Sequence, residues 1–341
     1  MTNLRKYLKW SLLGLLAILL TRVFLYQSYR AGDFHMASTF LPGDRVLVNK
    51  YRAGVRLPVS ILGLPGAGAP YIDAFRLPYL RLPALKKLKR QDVIVFNSPA
   101  GADKPIDRKK LIAGRIVGLP TDTVYIKDKV VMVNNKVVAP PVKARNEFRV
   151  ITAGSKIPDA FLRQNDLEKP RTVADIGIFD IDLPPGTDSL LTKEEGVKTV
   201  RETLQSLGDA SIDYYPQSNF FFFNRDQFGP FRVPAKGMTV TVDIKSIDFY
   251  RDMIEIQEKH NVLVDFSGVH IDDVLVTSYT FEKDYYFVMS DNRDNPNDSR
   301  KFGFIPADHV LGVATRIVWS RQNTYDYLRK AHADRTLDKI R

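Results

Sequence analysis

Apolar residues follow two rhythms along this chain. Residues 10–26, WSLLGLLAILLTRVFLY, run almost unbroken, interrupted by Ser11, Thr21, Arg22 and the small Gly14. That length is near the short end of what crosses a bilayer as a helix. Arg22 lies toward one end of the run, where a long side chain reaches the headgroups. Arg5, Lys6 and Lys9 precede it, so the positive-inside tendency predicts one span, with the amino terminus in the cytoplasm and everything after Gln27 outside. A cleavable secretory signal shares the basic start and apolar centre. No small-x-small cleavage site follows, however, and Arg22 interrupts that region, so a retained anchor is predicted.

From Asp44 onward the second rhythm is of short β-branched runs: RVLVNK at 45–50, DVIVF at 92–96, RIVG at 115–118 and TVYIKDKVVMVNNKVV at 123–138. These predict strands, with Asn134-Asn135 as a hairpin turn. A Pro/Gly-rich stretch, 57–83, predicts an irregular surface loop with part of its apolar content against lipid. Residues 141–280 are more polar and carry two helical patterns. In the first, Thr192 and Glu195 pair as a capping box, Val197, Val200, Leu204 and Leu207 form one face, and Gly208 ends the helix. The second covers about 246–259, and further strands are expected over 262–281. Strand texture returns in YYFVMS and VLGVATRIVWS, followed by a basic tail.

Composition narrows the function. Fifty Lys plus Arg against 39 Asp plus Glu leave a net charge of +11. Such a balance suits nucleic acid, an anionic membrane surface or acidic partners. No zinc-type Cys/His spacing, phosphate-binding glycine loop or basic helix with interleaved aromatics is present, so no nucleic-acid partner is predicted. Membrane lipid is the partner the charge favours. The absence of cysteine removes disulfides, thiol catalysis and thiolate metal sites. No metal and no cofactor is expected.

The block YYFVMSDNRDNPNDSRKFGFIPADHVLGVATRIVWS, 285–320, resembles the last signature box of bacterial type I signal peptidases, GDNRDNSxDSRxxGxVP. Turn chemistry alone would explain an Asp/Asn/Ser/Pro-rich loop. It would not explain three weaker matches in the right order, at 22–50, 91–99 and 114–124, nor FGPFRVPAKG at 228–237, which is similar to the insert of longer members. The resemblance implies a mainly β fold: a signal-peptidase-like β core, an inserted mixed α/β domain and one N-terminal transmembrane helix. It divides the chain into a cytoplasmic start and anchor (1–30), a first part of the core (31–140), a cap-like insert (141–280), a second part of the core (281–321) and a basic tail (322–341). It also implies that Arg115, Asp291, Asp298 and Arg300 form salt bridges supporting the site.

Members of the family cleave signal peptides at the membrane surface with a serine nucleophile and a lysine base. A lysine takes the hydroxyl proton only when burial lowers its pKa enough to leave a neutral amine. Counted without gaps from Arg22 through Met36 to Gly43-Asp44, the serine position is His35, and the lysine position, just before Arg115, is Gly114. Asp33 stands where some members place an oxyanion-hole serine, Ser290 replaces the first glycine of the last box, and Pro296 replaces a serine that in some members bonds the lysine. Lys109 and Lys110 belong to a charged run expected to be a solvated face.

These departures predict a noncatalytic relative, anchored in the inner membrane with its main domain outside, that binds exported peptides or a secretion or envelope protein. One alternative is an active endopeptidase with a relocated nucleophile, either Ser290 activated by His35 with Asp33 beside the imidazole, or Ser38. Another is a structural docking subunit of an envelope complex.

Overall fold

The apolar run does fold as a helix, Thr2–Phe24, of which Arg5–Phe24 is long and apolar enough to cross a membrane; none of that stretch is buried against the rest of the protein. The computed structural model describes residues 2–60, 76–100, 104–154, 156–174, 177–206, 208–209, 213–294, 296–320 and 335–340. The helix stops earlier than the hydropathy suggests, and Tyr26 opens a strand, Tyr26–Arg30. Lys50 Nζ donates to the carbonyl of Val23 at 2.7 Å, satisfying a helix-end acceptor, while Tyr26 pairs with Asn49 in the sheet.

A seven-stranded antiparallel sheet is the centre of the fold. Its order is Tyr26–Arg30, Arg45–Asn49, Val310–Trp319, Val93–Asn97, Leu111–Gly118, Tyr285–Met289 and Ile305–Pro306. The strand Val310–Trp319 sits between two strands from the first third of the chain, so the two ends of the sequence share one sheet. Val46, Val48, Val93, Val95 and Ala113 pack on one face with Met36 and Phe40, whereas Ile94, Phe96, Ile112, Ile116 and Val288 pack on the other. Burial of both faces is why these strands read as continuous apolar runs and not as alternating ones.

The hairpin Thr123–Lys127 and Val130–Val133 continues into Lys136–Val137 through Asn134 and Asn135, both left-handed (φ 50° and 61°), as expected of that turn. Phe228–Arg232 adds a fourth strand beside Thr123–Lys127. This sheet shares an aromatic core with the helix Ile247–Asp252, which passes into a π-turn over Met253–Gln257, and with short strands over 262–280. Residues 146–202 build a separate four-stranded sheet, ordered Val197–Glu202, Asn146–Thr152, Ile178–Leu183, Arg171–Ala174, around Phe161, Leu162, Leu167 and Leu191. The protein is thus mainly β.

One expected helix is absent. Residues 187–191 are helical, but Val197–Glu202 is a strand on the edge of the 146–202 sheet. Thr192 does not open a helix; its hydroxyl donates to Asp188 O at 2.8 Å and closes one. Val197 and Val200 fit a helical spacing, yet they are β-branched, and pairing with Asn146–Thr152 decides their state. Of the Pro/Gly-rich stretch, 61–75 lies outside the described residues, and the flanks meet through the bridges Arg56↔Arg81 and Ser60↔Arg76. Most of the basic tail also lies outside them. Residues 335–340 return to the core, where Lys339 bridges Arg316 and Ile340 packs beside Met36 and Phe40.

Candidate functional site

Strands Tyr26–Arg30 and Arg45–Asn49 are joined by a loop, 31–44, tied at its neck by hydrogen bonds between Ala31 and both Asp44 and Gly43. Gly43 takes φ of 93°, which closes the loop without a Cβ penalty. Met36 and Phe40 enter the main core, while Phe34, Ala37 and Leu41 form their own small cluster. With these apolar anchors inward, Asp33 and His35 are left to line a cavity of about 190 Å³ with Tyr29, Met36, Lys110 and Asn297. The cavity runs beside Leu111–Ala113. That part of Leu111–Gly118 pairs with Val93–Asn97 on one side, while Tyr285–Met289 on the other side pairs only with Arg115, Ile116 and Gly118.

His35 and Asp33 are bonded to each other: Nε2 lies 2.9 Å from Asp33 Oδ2, and the His35 amide donates to Oδ1 at 3.3 Å. Burial works to raise the Asp33 pKa, but the bonds and charge of His35, helped by Lys110, hold it below the ordinary carboxylate value. Asp33 therefore puts negative charge on the wall of this cavity. Burial and the same Asp33 charge push the Tyr29 phenol well above its usual value.

Beneath the loop, Arg115 donates from Nε and Nη2 to the two oxygens of Asp291, at 2.8 and 2.9 Å, and both side chains are almost fully buried. Ser38 Oγ donates to Asp291 Oδ2 at 2.6 Å, and Thr39 donates to the same oxygen. Asp298 accepts from Arg300 at 2.8 and 3.1 Å, caps the short helix Ser299–Phe302 and accepts the Ser290 amide at 2.7 Å. Although burial alone would raise the pKa values of Asp291 and Asp298, the paired arginines lower both. All four residues expected as support are thus in two buried salt bridges.

The other candidates are placed differently. Ser290 is fully buried, its Oγ accepts the Asn297 amide at 3.2 Å, and no hydrogen bond joins it to the His35 ring, whose Nδ1 is buried without a partner. The Ser290–His35 contact that the relocated-nucleophile alternative required is not formed. Ser38 is committed to Asp291. Pro296 and Gly114 are buried and do not line the cavity. A Cβ built on Gly114 would meet Val288 at 3.3 Å and the Phe96 ring at 3.5 Å, so an amine starting there would begin between apolar walls.

The solvated face expected for Lys109 and Lys110 holds for only one of them. Lys110 is exposed at the cavity, whereas Lys109 is 8% exposed. A lysine just outside a strand takes its surroundings from the neighbouring strand and loop, which a local charge run does not reveal. Among the described residues the lysine with a strongly depressed pKa is Lys50, brought down to about 8 by burial with Arg56, Arg22 and Arg81 nearby, and its amine is bonded to helix-end carbonyls. Sequence reasoning also passed over Glu147, Asp182 and Arg225. Asn292 donates to Asp182 at 2.7 Å, the Glu147 amide donates to Asp294, and Arg225 pairs with Glu147 at 2.7 Å, tying the 291–300 loop to the 146–202 sheet.

Comparison with known proteins gives the same direction over most of the length. The model of the family described as signal peptidase, peptidase S26, matches residues 4–192 and 228–319. A signal peptidase I of Buchnera aphidicola (subspecies Schizaphis graminum) is 23% identical over 310 residues, covering 88% of this chain and 70% of its own. A signal peptidase I of Pseudomonas aeruginosa is 34% identical over 126 residues, 37% of this chain and 36% of its own. A solved signal peptidase I from Enterococcus faecalis is 18% identical, spans 67% of this chain and 98% of its own, and superimposes with a TM-score of only 0.25. With the family model matched on both sides of residues 193–227 and over most of the length, the chain belongs to the S26 signal peptidase family.

Proposed function

We propose that this protein is a noncatalytic, membrane-anchored member of the family that holds extended exported peptides beside the 31–44 loop. The observation that carries the reading is the state of the two reactive positions. His35 is bonded to Asp33 at 2.9 Å, Gly114 carries no side chain, and the nearby hydroxyls of Ser38 and Ser290 are committed to Asp291 and the Asn297 amide. Neither Ser38 nor Ser290 is hydrogen-bonded to a lysine amine or a histidine ring that could take its proton. What supports peptide binding is the unpaired side of Leu111–Ala113 next to the 190 Å³ cavity, where an extended chain can add main-chain hydrogen bonds and insert one small side chain. The anchor in this reading is the apolar part of Arg5–Phe24, and Arg5, Lys6 and Lys9 at its start support a domain on the outer side of the inner membrane. The division into a core of 31–140 and 281–321 with 141–280 as cap belongs to the same proposal.

Incubating the purified full chain with a preprotein, beside a competent family member, tests this. We expect retention of the signal-peptide segment without cleavage. Cleavage by the wild type that Ser38→Ala or Ser290→Ala abolishes would establish an active endopeptidase instead.

A further inference from the structure

The loop that carries His35 also contributes to a second cavity, of about 610 Å³, whose wall includes Ser38, Leu41, Val142, Arg145, Pro184 and Arg335. Arg145 is 4% exposed, with its guanidinium carbon 5.8 Å from the centre of the Phe34 ring. One of its nitrogens donates to Asp166 O at 2.9 Å, whereas Nε and Nη1 are buried with no partner. Arg335 reaches in from the returning tail, held by Asp44 and Thr39 O, each at 3.3 Å, and its Nη1 is also buried and unpartnered. Buried guanidinium donors left unbonded are costly, and they mark where an acceptor belongs. Lys143 and Lys339 add positive charge to the lining against Asp166 and Asp338. Burial pushes Arg145 down to about 10 even with Asp182, Asp166 and Glu168 near it, so it remains cationic at neutral pH.

We propose that this cavity binds the free C-terminal carboxylate of a peptide whose last residues are small and apolar. A guanidinium presents paired N–H donors that match a carboxylate, and two such groups converge here. The apolar part of the wall, Leu41, Val142, Pro184 and Pro185 among others, suits short aliphatic side chains more than a bare inorganic anion. The inference rests on the peptide-binding reading, but its site is distinct from the cavity at His35.

The test is isothermal titration of the full chain in detergent micelles with acetyl-Ala-Leu-Ala as the free acid, as its amide, and with inorganic phosphate. The free acid should bind saturably, and the amide roughly tenfold or more weakly, the scale of one charged hydrogen bond. Arg335→Gln and Arg145→Met should each weaken the free acid by a similar factor. Because Arg145 is buried and its variant can misfold, Arg335→Gln and Lys143→Gln with unchanged unfolding midpoints serve as the second reading. Equal affinity for acid and amide, phosphate binding as tightly as the peptide, or no binding of the free acid would each overturn the assignment. No binding of the free acid, together with a longer amidated peptide that binds and is lost on His35→Trp, would overturn it while leaving the peptide-binding reading in place.

Discussion

Arg115 and Asp291, 176 positions apart, meet in a bidentate salt bridge with both side chains almost fully buried. The pair joins the middle of Leu111–Gly118 to the loop after Tyr285–Met289, and through Ser38 and Thr39 it fixes the loop that carries His35. Asp291→Ala leaves a buried guanidinium unpaired and should lower stability by about 3–5 kcal/mol. Urea unfolding of the wild type, of Asp291→Ala, and of Arg115→Met with Asp291→Leu measures it. The double variant should lose less than Asp291→Ala does, and an equal or greater loss would contradict the pairing argument.

Restoring one reactive group should not restore cleavage. His35→Ser lacks a base, and Gly114→Lys lacks a hydroxyl on which to act. The lysine must also displace Val288, which a Cβ would approach to 3.3 Å, at a cost of about 1–3 kcal/mol. The two changes together should give weak cleavage at most, since Asp33 remains beside the expected oxyanion. Adding Asp33→Ser should raise that rate, and a preprotein assay in which the triple variant is no faster than the double one would refute the role given to Asp33.

Stability should fall on the acid side. Although burial opposes it, the bonds and charge of Arg225, with Thr203 and Arg171 contributing, bring the Glu147 pKa down to about 2; Arg115 and Arg300 likewise lower Asp291 and Asp298. Each depressed carboxylate stabilises the fold fully above its unfolded value near 4, and that stabilisation is lost as pH drops through the folded value. His260 has the opposite sign. Its bond to Asp272 raises its pKa, so its smaller contribution is present below about 6.5 and is lost as pH rises through the raised value. Thermal unfolding at a series of pH values should show the midpoint dropping most steeply between about pH 4 and pH 2. His260→Gln should remove only the small decline on the neutral side.

Gly312 sits where Val310–Trp319 passes close to its neighbour, and an added Cβ would lie 2.4 Å from the carbonyl oxygen of Asn49. A backbone atom cannot rotate away, so the two central strands must separate. Gly312→Ala should destabilise by about 2 kcal/mol or more. An unchanged urea midpoint would show that the sheet absorbs the shift.

The membrane topology has a direct check. With one span within Arg5–Phe24 and the basic residues Arg5, Lys6 and Lys9 at its start, protease added to intact spheroplasts should digest the domain. Protection until the membrane is broken would reverse the orientation.

The sequence by itself determined the elements whose signals are local: the apolar helix, the two-face-buried strands around 45–49 and 93–97, and the Asn134-Asn135 turn. The Asp/Asn/Arg-rich box also carried the family, because rare polar residues at fixed spacing survive any fold ambiguity. Only tertiary structure decided whether 197–202 became helix or strand, since Val197 and Val200 satisfy either rhythm and the neighbouring strand Asn146–Thr152 supplies the hydrogen bonds. It likewise decided that Ser38 serves Asp291 and that Lys109 is buried while Lys110 is not. Arg145 and Arg335 were invisible as a pair for the same reason. They lie 190 positions apart, and only the returning tail brings them to one cavity, because long-range packing sets a side chain's partners whatever its neighbours in sequence favour.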